Sequence, residues 1–159
     1  MHKKGETYMG NVSKFKDFLV EAKRNTYASK AKKEESSRPN SKDYAYKKYN
    51  YYYLDSHVGD KEFIGEELVW HNEKVCWGMN YKGQVLVNET PSGFNKFLRS
   101  ALKNVSEDSP FRGPKYFKNE DFIYECTWDG DLSSFNGVES ISYNGNEIFK
   151  LYFHGGSLK

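Results

Sequence analysis

The chain has 159 residues, 37% of them hydrophobic and 17% aromatic, and a formal net charge of +2. An apolar share below the usual ~45–50% leaves the aromatic side chains to build the core of a single domain. No run of 18 apolar residues occurs, which excludes a membrane-spanning helix, and the polar stretch Met1 to Gly10 lacks the apolar centre of a secretory signal, so the cytoplasm is the expected compartment.

Charge is unevenly placed. Residues 1–50 carry thirteen Lys and Arg against six Asp and Glu, whereas the remainder carries eleven against sixteen. That leaves no continuous basic stripe along the chain, which argues against a nucleic-acid partner. Cys76 and Cys126 have neither CxxC spacing nor flanking histidines, so they read as buried apolar side chains rather than a zinc site or a disulfide.

In chain order, residues 1–11 read as a flexible N-terminus and residues 12–159 as one domain. A helix is predicted from about Val12 to Asn25, capped by Asn11 or Ser13, with Phe15, Phe18, Leu19 and Ala22 on one face. The polar, basic run from Ser29 to Lys42 lacks apolar periodicity and is expected to be a mobile loop, either simply solvated or a lid over an anion site. Strands are predicted over Tyr44–Asp55, Phe63–Trp70 and Lys74–Tyr81, the last two joined through His71-Asn72-Glu73. A second helix follows Pro91-Ser92-Gly93 with Phe94, Phe97, Leu98, Ala101 and Leu102 on one face, and ends at Asn104. Three further strands are predicted over Asp121–Trp128, Phe135–Tyr143 and Glu147–His154, with Asn144-Gly145 as a tight turn.

The halves match one another. Phe15 to Ala22 aligns with Phe94 to Ala101, and Phe63, Gly65, Glu67, Val69 and Asn72 align with Phe135, Gly137, Glu139, Ile141 and Asn144. The expected fold is therefore α+β, an internal duplication of a helix plus three antiparallel strands. Repeat one covers about 12–87 and repeat two about 91–159, forming a pseudo-twofold sheet with two helices on one face. Strand parity sends Trp77, Met79 and Tyr81, with Phe149, Leu151 and Phe153, under the helices. Asn80 and Lys82, with Lys150, Tyr152 and His154, take the other face.

Glu67 and Glu139 share their strand faces with apolar residues. A buried carboxylate needs a partner. Two readings follow: a structural one, in which each pairs with an arginine such as Arg38 and Arg112 or caps backbone at Gly65 and Gly137, and a functional one, in which both line a central pocket and fix a polar or cationic group. The four histidines lack metal-ligand spacing, and neither a nucleophile elbow nor a phosphate-binding glycine loop is present. No cofactor is therefore implied. The tyrosines crowded from Tyr44 to Tyr53 pack a core or stack on a planar ligand.

The motifs Ser-Arg-Pro-Asn-Ser-Lys-Asp (37–43), Tyr-Leu-Asp-Ser (53–56), Phe-Ile-Gly-Glu-Glu (63–67), Trp-Gly-Met-Asn-Tyr (77–81), Pro-Phe-Arg-Gly-Pro (110–114) and Phe-His-Gly-Gly (153–156) resemble a small bacterial domain of unknown function. That domain occurs alone or behind a helix-turn-helix DNA-binding domain. The resemblance spans about residues 12–158 and carries no catalytic residues across, but it implies small-molecule binding, since such domains sit where transcription regulators keep a sensor. The chain is expected to depart from that arrangement by lacking the DNA-binding part. A looser, architectural similarity links it to ligand-binding domains similar to gyrase inhibitor protein.

The expected function is a non-catalytic protein that binds a planar, anionic, nucleotide-derived molecule and sequesters or senses it, as a phage-encoded decoy would. The roles expected are Trp77, Tyr81 and Tyr152 for walls or stacking, Arg38 and Arg112 for phosphate, and Glu67, Glu139, Asn80 and His154 for polar fixing. The alternatives are a protein-interaction module, including a homo-oligomer, and a hydrolase using Glu67, Glu139 and His154.

Overall fold

The computed structural model describes residues 6–7, 10–26, 28 and 31–159. Of the expected flexible N-terminus, residues 1–5 and 8–9 lie outside that set, while β1 (Glu6–Thr7) pairs with β2 (Gly10–Asn11). Helix α1 (Val12–Arg24) begins where the Asn11 side chain accepts from Lys14 N–H at 3.2 Å, and it buries Phe15, Phe18, Leu19 and Ala22. Helix α2 (Phe94–Lys103) starts after Gly93, whose φ of 88° is a left-handed conformation suited to glycine, and it buries Phe94, Phe97, Ala101 and Leu102.

The main sheet has eight antiparallel strands in the order β3 (Lys42–Lys48), β4 (Tyr51–Gly59), β5 (Glu62–His71), β6 (Lys74–Val85), β10 (Asn146–Ser157), β9 (Ser134–Tyr143), β8 (Phe122–Asp131) and β7 (Tyr116–Asn119). The α+β class holds, but the duplicated helix-plus-three-strand arrangement does not: each helix is followed by four strands. The stretch read as one strand from Tyr44 to Asp55 is a hairpin turning at Tyr49-Asn50, and β7 was not anticipated. Tyr49 takes the turn with φ 55° without any glycine, so the usual punctuation of a hairpin is missing.

Both helices cover one face. Phe15 of α1 lies 6.0 Å from Trp77, Phe94 of α2 lies 5.8 Å from Phe149, and Phe97 stacks on Phe122 at 4.9 Å. The two four-stranded halves join through β6 and β10, where Tyr81 pairs with Phe153, Asn80 with His154 and Lys82 with Tyr152. Gly65 and Gly137 explain the recurring Phe-x-Gly-x-Glu pattern. They pair with Tyr81 and Phe153, and a Cβ on either would come within about 2.4 Å of the facing aromatic ring.

Ser29 and Lys30 of the expected mobile loop lie outside the described residues. From Glu34 onward the segment is built. Glu34 N–H donates to Asp43 C=O, and the Ser41 and Ser56 hydroxyls both reach Asp43 Oδ1 at 2.7 Å. Burial alone would raise the Asp43 pKa, but bonds from Ser37, Ser41 and Ser56 outweigh it and hold the carboxyl below its ordinary value. Among the described residues no helix is long and apolar enough to cross a membrane.

Candidate functional site

Beneath the helices lies a group of charged side chains with almost no solvent contact: Lys23, Asp55, Glu67, Arg112 and Glu139, none more than 5% exposed. The sheet supplies all three acids. The cations come from elsewhere, Lys23 from the last turn of α1 and Arg112 from the segment between α2 and β7. Arg112 grips Glu139 with two bonds of 3.1 Å, from Nε and Nη2, and the Tyr124 hydroxyl donates to the same carboxylate at 2.5 Å. Lys23 Nζ lies 3.0 Å from Glu67 Oε1 and also donates to the Phe111 carbonyl, while the Tyr53 hydroxyl donates to Glu67 Oε1 at 2.6 Å. Among the described residues, Glu67 Oε2 has no hydrogen-bond partner.

Around the two glutamates the matched positions are not all alike. Asp55 pairs across the sheet with Glu67, where Cys126 pairs with Glu139, and Tyr81 occupies the place of Phe153. Asp55 therefore adds a third carboxyl to two cations. Burial first, and the neighbouring Glu67 second, raise its pKa to about 7, against a 2.5 Å bond from the Tyr81 hydroxyl and the Arg112 and Lys23 charges. Burial likewise pushes the Lys23 ammonium down against the pull of Glu67.

The nine residues expected to form one site are divided by the sheet. Glu67, Trp77, Tyr81, Arg112 and Glu139 are interior. Asn80, Tyr152 and His154 are exposed on the opposite, helix-free face, where Asn80 and His154 are cross-strand neighbours. Arg38 is far from Glu67 in role: its Nη2 donates to Ser56 Oγ at 2.7 Å and to Ser56 C=O at 3.2 Å on the outer rim. Of the arginine pairings considered for the two glutamates, Arg112 with Glu139 is present, and Glu67 takes Lys23 instead.

Concavity lies elsewhere, at the end of the sheet where β3 turns into β4 and β5 into β6. On the helical side a groove of about 1250 Å³ runs between α1 and the hairpin tips, with Lys14, Arg24 and Lys48 balanced by Asp17, Glu21 and Glu107 on its walls and Tyr51 stacked on His71 at 4.4 Å. Beside it a groove of about 840 Å³ is lined by Lys47, Tyr49, Asn50, Tyr52, Trp70, Asn72 and Glu73. Lys47, Tyr52 and Trp70 form one row across β3, β4 and β5, and the Tyr52 and Trp70 rings meet at 5.4 Å with a 40° tilt. Tyr49, 80% exposed, stands between the two grooves.

Sequence reasoning missed Lys23, because a lysine in a last helical turn ordinarily reads as a solvated partner of the helix dipole. It also missed Asp55 and Trp70, although alternation along Tyr51–Gly59 would have placed Asp55 with Tyr53 on the buried face. Among the described residues no group of three or more His, Cys, Asp or Glu is arranged to hold a metal.

An eight-stranded antiparallel sheet with two helices on one face and a sealed charge cluster defines the architecture. Within it, residues 55–158 match the family described as a domain of unknown function, DUF5680, and the chain belongs to that family. The matched region contains Asp55, Glu67, Trp70, Arg112 and Glu139 but neither α1 with Lys23 nor Tyr49. The match agrees with the coarser part of the expected resemblance; no fusion to a DNA-binding domain and no likeness to gyrase inhibitor protein comes with it. Comparisons with curated proteins and with solved structures give no match.

Proposed function

We propose that the protein binds a small molecule offering a flat, uncharged face, at the hairpin-tip end of its sheet, and releases it unchanged. The observation that supports this reading is Tyr49. Its φ of 55° is a left-handed conformation that costs a bulky residue about 1–3 kcal/mol, yet its ring is 80% exposed and, among the described residues, its one ring contact is a cation–π contact with Lys48 at 5.3 Å. Asparagine would make the same turn at less cost. A strained, exposed aromatic between two grooves fits a side chain kept there to contact a ligand.

The anionic ligand expected from the sequence has less support. Arg38 holds Ser56 and Arg112 holds Glu139, and each groove wall balances its charges. Binding rather than turnover is favoured because the carboxyl with the most displaced pKa, Asp55, is sealed in the interior, away from either groove.

The test is to pass a small-metabolite mixture over the protein and identify what it retains by mass spectrometry. The reading expects a molecule recovered with unaltered mass, retained at least tenfold less by Trp70→Ala protein with an unchanged circular dichroism spectrum. Retention that Trp70→Ala and Tyr52→Ala leave untouched, or recovery of a converted product, contradicts it. One observation favours a second reading as an interaction module: the helix-free face exposes Ile64 and Tyr152, each at 56%. Self-association that Ile64→Lys abolishes in sedimentation would support that alternative.

A further inference from the structure

The groove of about 840 Å³ on the helix-free side has a floor and a rim of distinct chemistry. The floor is the Tyr52–Trp70 pair. Because these rings touch each other, at 5.4 Å between centroids, no slot lies between them into which a planar heterocycle could slide, and a ligand must lie on top of the pair. Their 40° tilt means that a rigid flat molecule rests on one ring at a time. Two linked pyranose rings, which turn relative to one another, follow such a bent floor, and their weakly positive C–H groups meet the negative faces of the aromatic rings.

The rim carries the polar partners that ring hydroxyls need. Asn50 and Asn72 are exposed amides, each offering one acceptor and two donors, and Glu73 adds a carboxylate acceptor. Among the described residues none of these three side chains makes a hydrogen bond of its own. Asn72 and Glu73 hold φ of 50° and 67°, so the β5–β6 turn is built from two polar residues where glycine would be easier. Lys47 is the only cation on this wall among the described residues and is matched by Glu73, so the groove has no cradle for phosphate. Its size falls in the ~300–1,000 Å³ range of ligand sites.

We infer that this groove is a saccharide-binding platform, in which Tyr52 and Trp70 stack against a disaccharide unit and Asn50, Asn72 and Glu73 hydrogen-bond its hydroxyls. The inference rests on the groove reading above and gives its ligand a chemical class.

The test titrates ¹⁵N-labelled full-length protein with cellobiose, maltose and N,N′-diacetylchitobiose, and separately with adenosine, while following the three tryptophan indole signals. The expected result is a saturable shift of the Trp70 indole with at least one disaccharide, at a Kd of about 1 mM or tighter, with Trp77 unmoved. Tyr52→Ala should weaken it at least tenfold, and Asn72→Ala, which leaves the floor intact, at least threefold. Cellopentaose binding more tightly than cellobiose marks a polysaccharide chain as the source and equal binding a free sugar, and either supports the class. No Trp70 shift with any disaccharide overturns the saccharide assignment. If adenosine or another metabolite then moves Trp70, the groove reading survives; if none does, that reading fails too.

Discussion

Asp55 and Glu67 lie directly opposite each other across β4 and β5, both facing an interior that holds two cations for three carboxyls. Glu67 takes Lys23 and Glu139 takes Arg112. Asp55 is left with the Tyr81 hydroxyl, and burial first and Glu67 second raise its pKa to about 7.

The pH dependence of stability follows from that shift. Asp55 has a folded pKa of about 7, raised from 3.8 chiefly by burial, so the folded chain binds a proton that the unfolded chain gives up between those values. Its contribution is intact below about pH 4 and is lost as pH rises through 7. Urea denaturation should show Asp55 lowering stability by a few kcal/mol between pH 4.5 and 8, at roughly 1.4 kcal/mol per pKa unit. Asp55→Asn should remove most of that fall. Comparing the two proteins isolates Asp55, because His57, lowered by burial and then by Lys42, acts in the opposite direction. An Asp55→Asn protein that keeps the wild-type fall contradicts the assignment.

The Arg112–Glu139 pair is expected to behave as a buried ion pair whose halves depend on each other. Arg112→Met strands the Glu139 carboxylate and should cost about 3–5 kcal/mol in denaturant unfolding. Adding Glu139→Gln to that variant should recover at least half the loss. A single-variant cost below about 1 kcal/mol would mean that water reaches the pair.

How much of this was readable beforehand depends on the kind of signal. The two helices came from periodic apolar faces with cap residues, and α1 ends within a residue of its predicted limit. The Asn144-Gly145 turn, with φ of 49° and 81°, came from residue types that adopt that conformation readily. The β3–β4 turn was illegible because Asn50 is a lone turn former between Tyr49 and the strand-forming run Tyr51 to Tyr53, with no glycine or proline beside it, and missing it turned a four-strand unit into a three-strand one. β7 was missed because two of its four residues are Lys118 and Asn119 and it lies between Lys115 and Glu120. Burial of Glu67 and Glu139 was legible from parity, but their partners were not, since Lys23 reaches Glu67 from 44 positions earlier in the chain.

Tyr49 should trade stability for binding. Tyr49→Asn relieves a left-handed aromatic at an exposed turn and should raise the unfolding free energy by about 1 kcal/mol, while weakening the retained ligand severalfold. A variant that loses stability would show that Tyr49 serves the turn itself.

The two thiols should be inert in the folded state. Burial pushes Cys76 and Cys126 up to about 12, so almost no thiolate exists at neutral pH. A chromogenic disulfide reagent at pH 8 should react with neither thiol until denaturant is added, and then with both. Rapid reaction of one thiol in native protein would reveal an opening of the sheet that this packing does not contain.

The most direct test of ligand binding at the hairpin-tip end uses the three tryptophans, which stand at three different places. Trp70 floors the outer groove, Trp77 is 0% exposed and donates to Leu132 C=O at 3.1 Å in the core, and Trp128 borders a separate hollow with Phe111. In a ¹H–¹⁵N spectrum recorded as pooled small metabolites are added, the indole of Trp70 should move and saturate while those of Trp77 and Trp128 stay in place. A binder that moves Trp77 or Trp128 and leaves Trp70 still would put the site elsewhere and contradict the account.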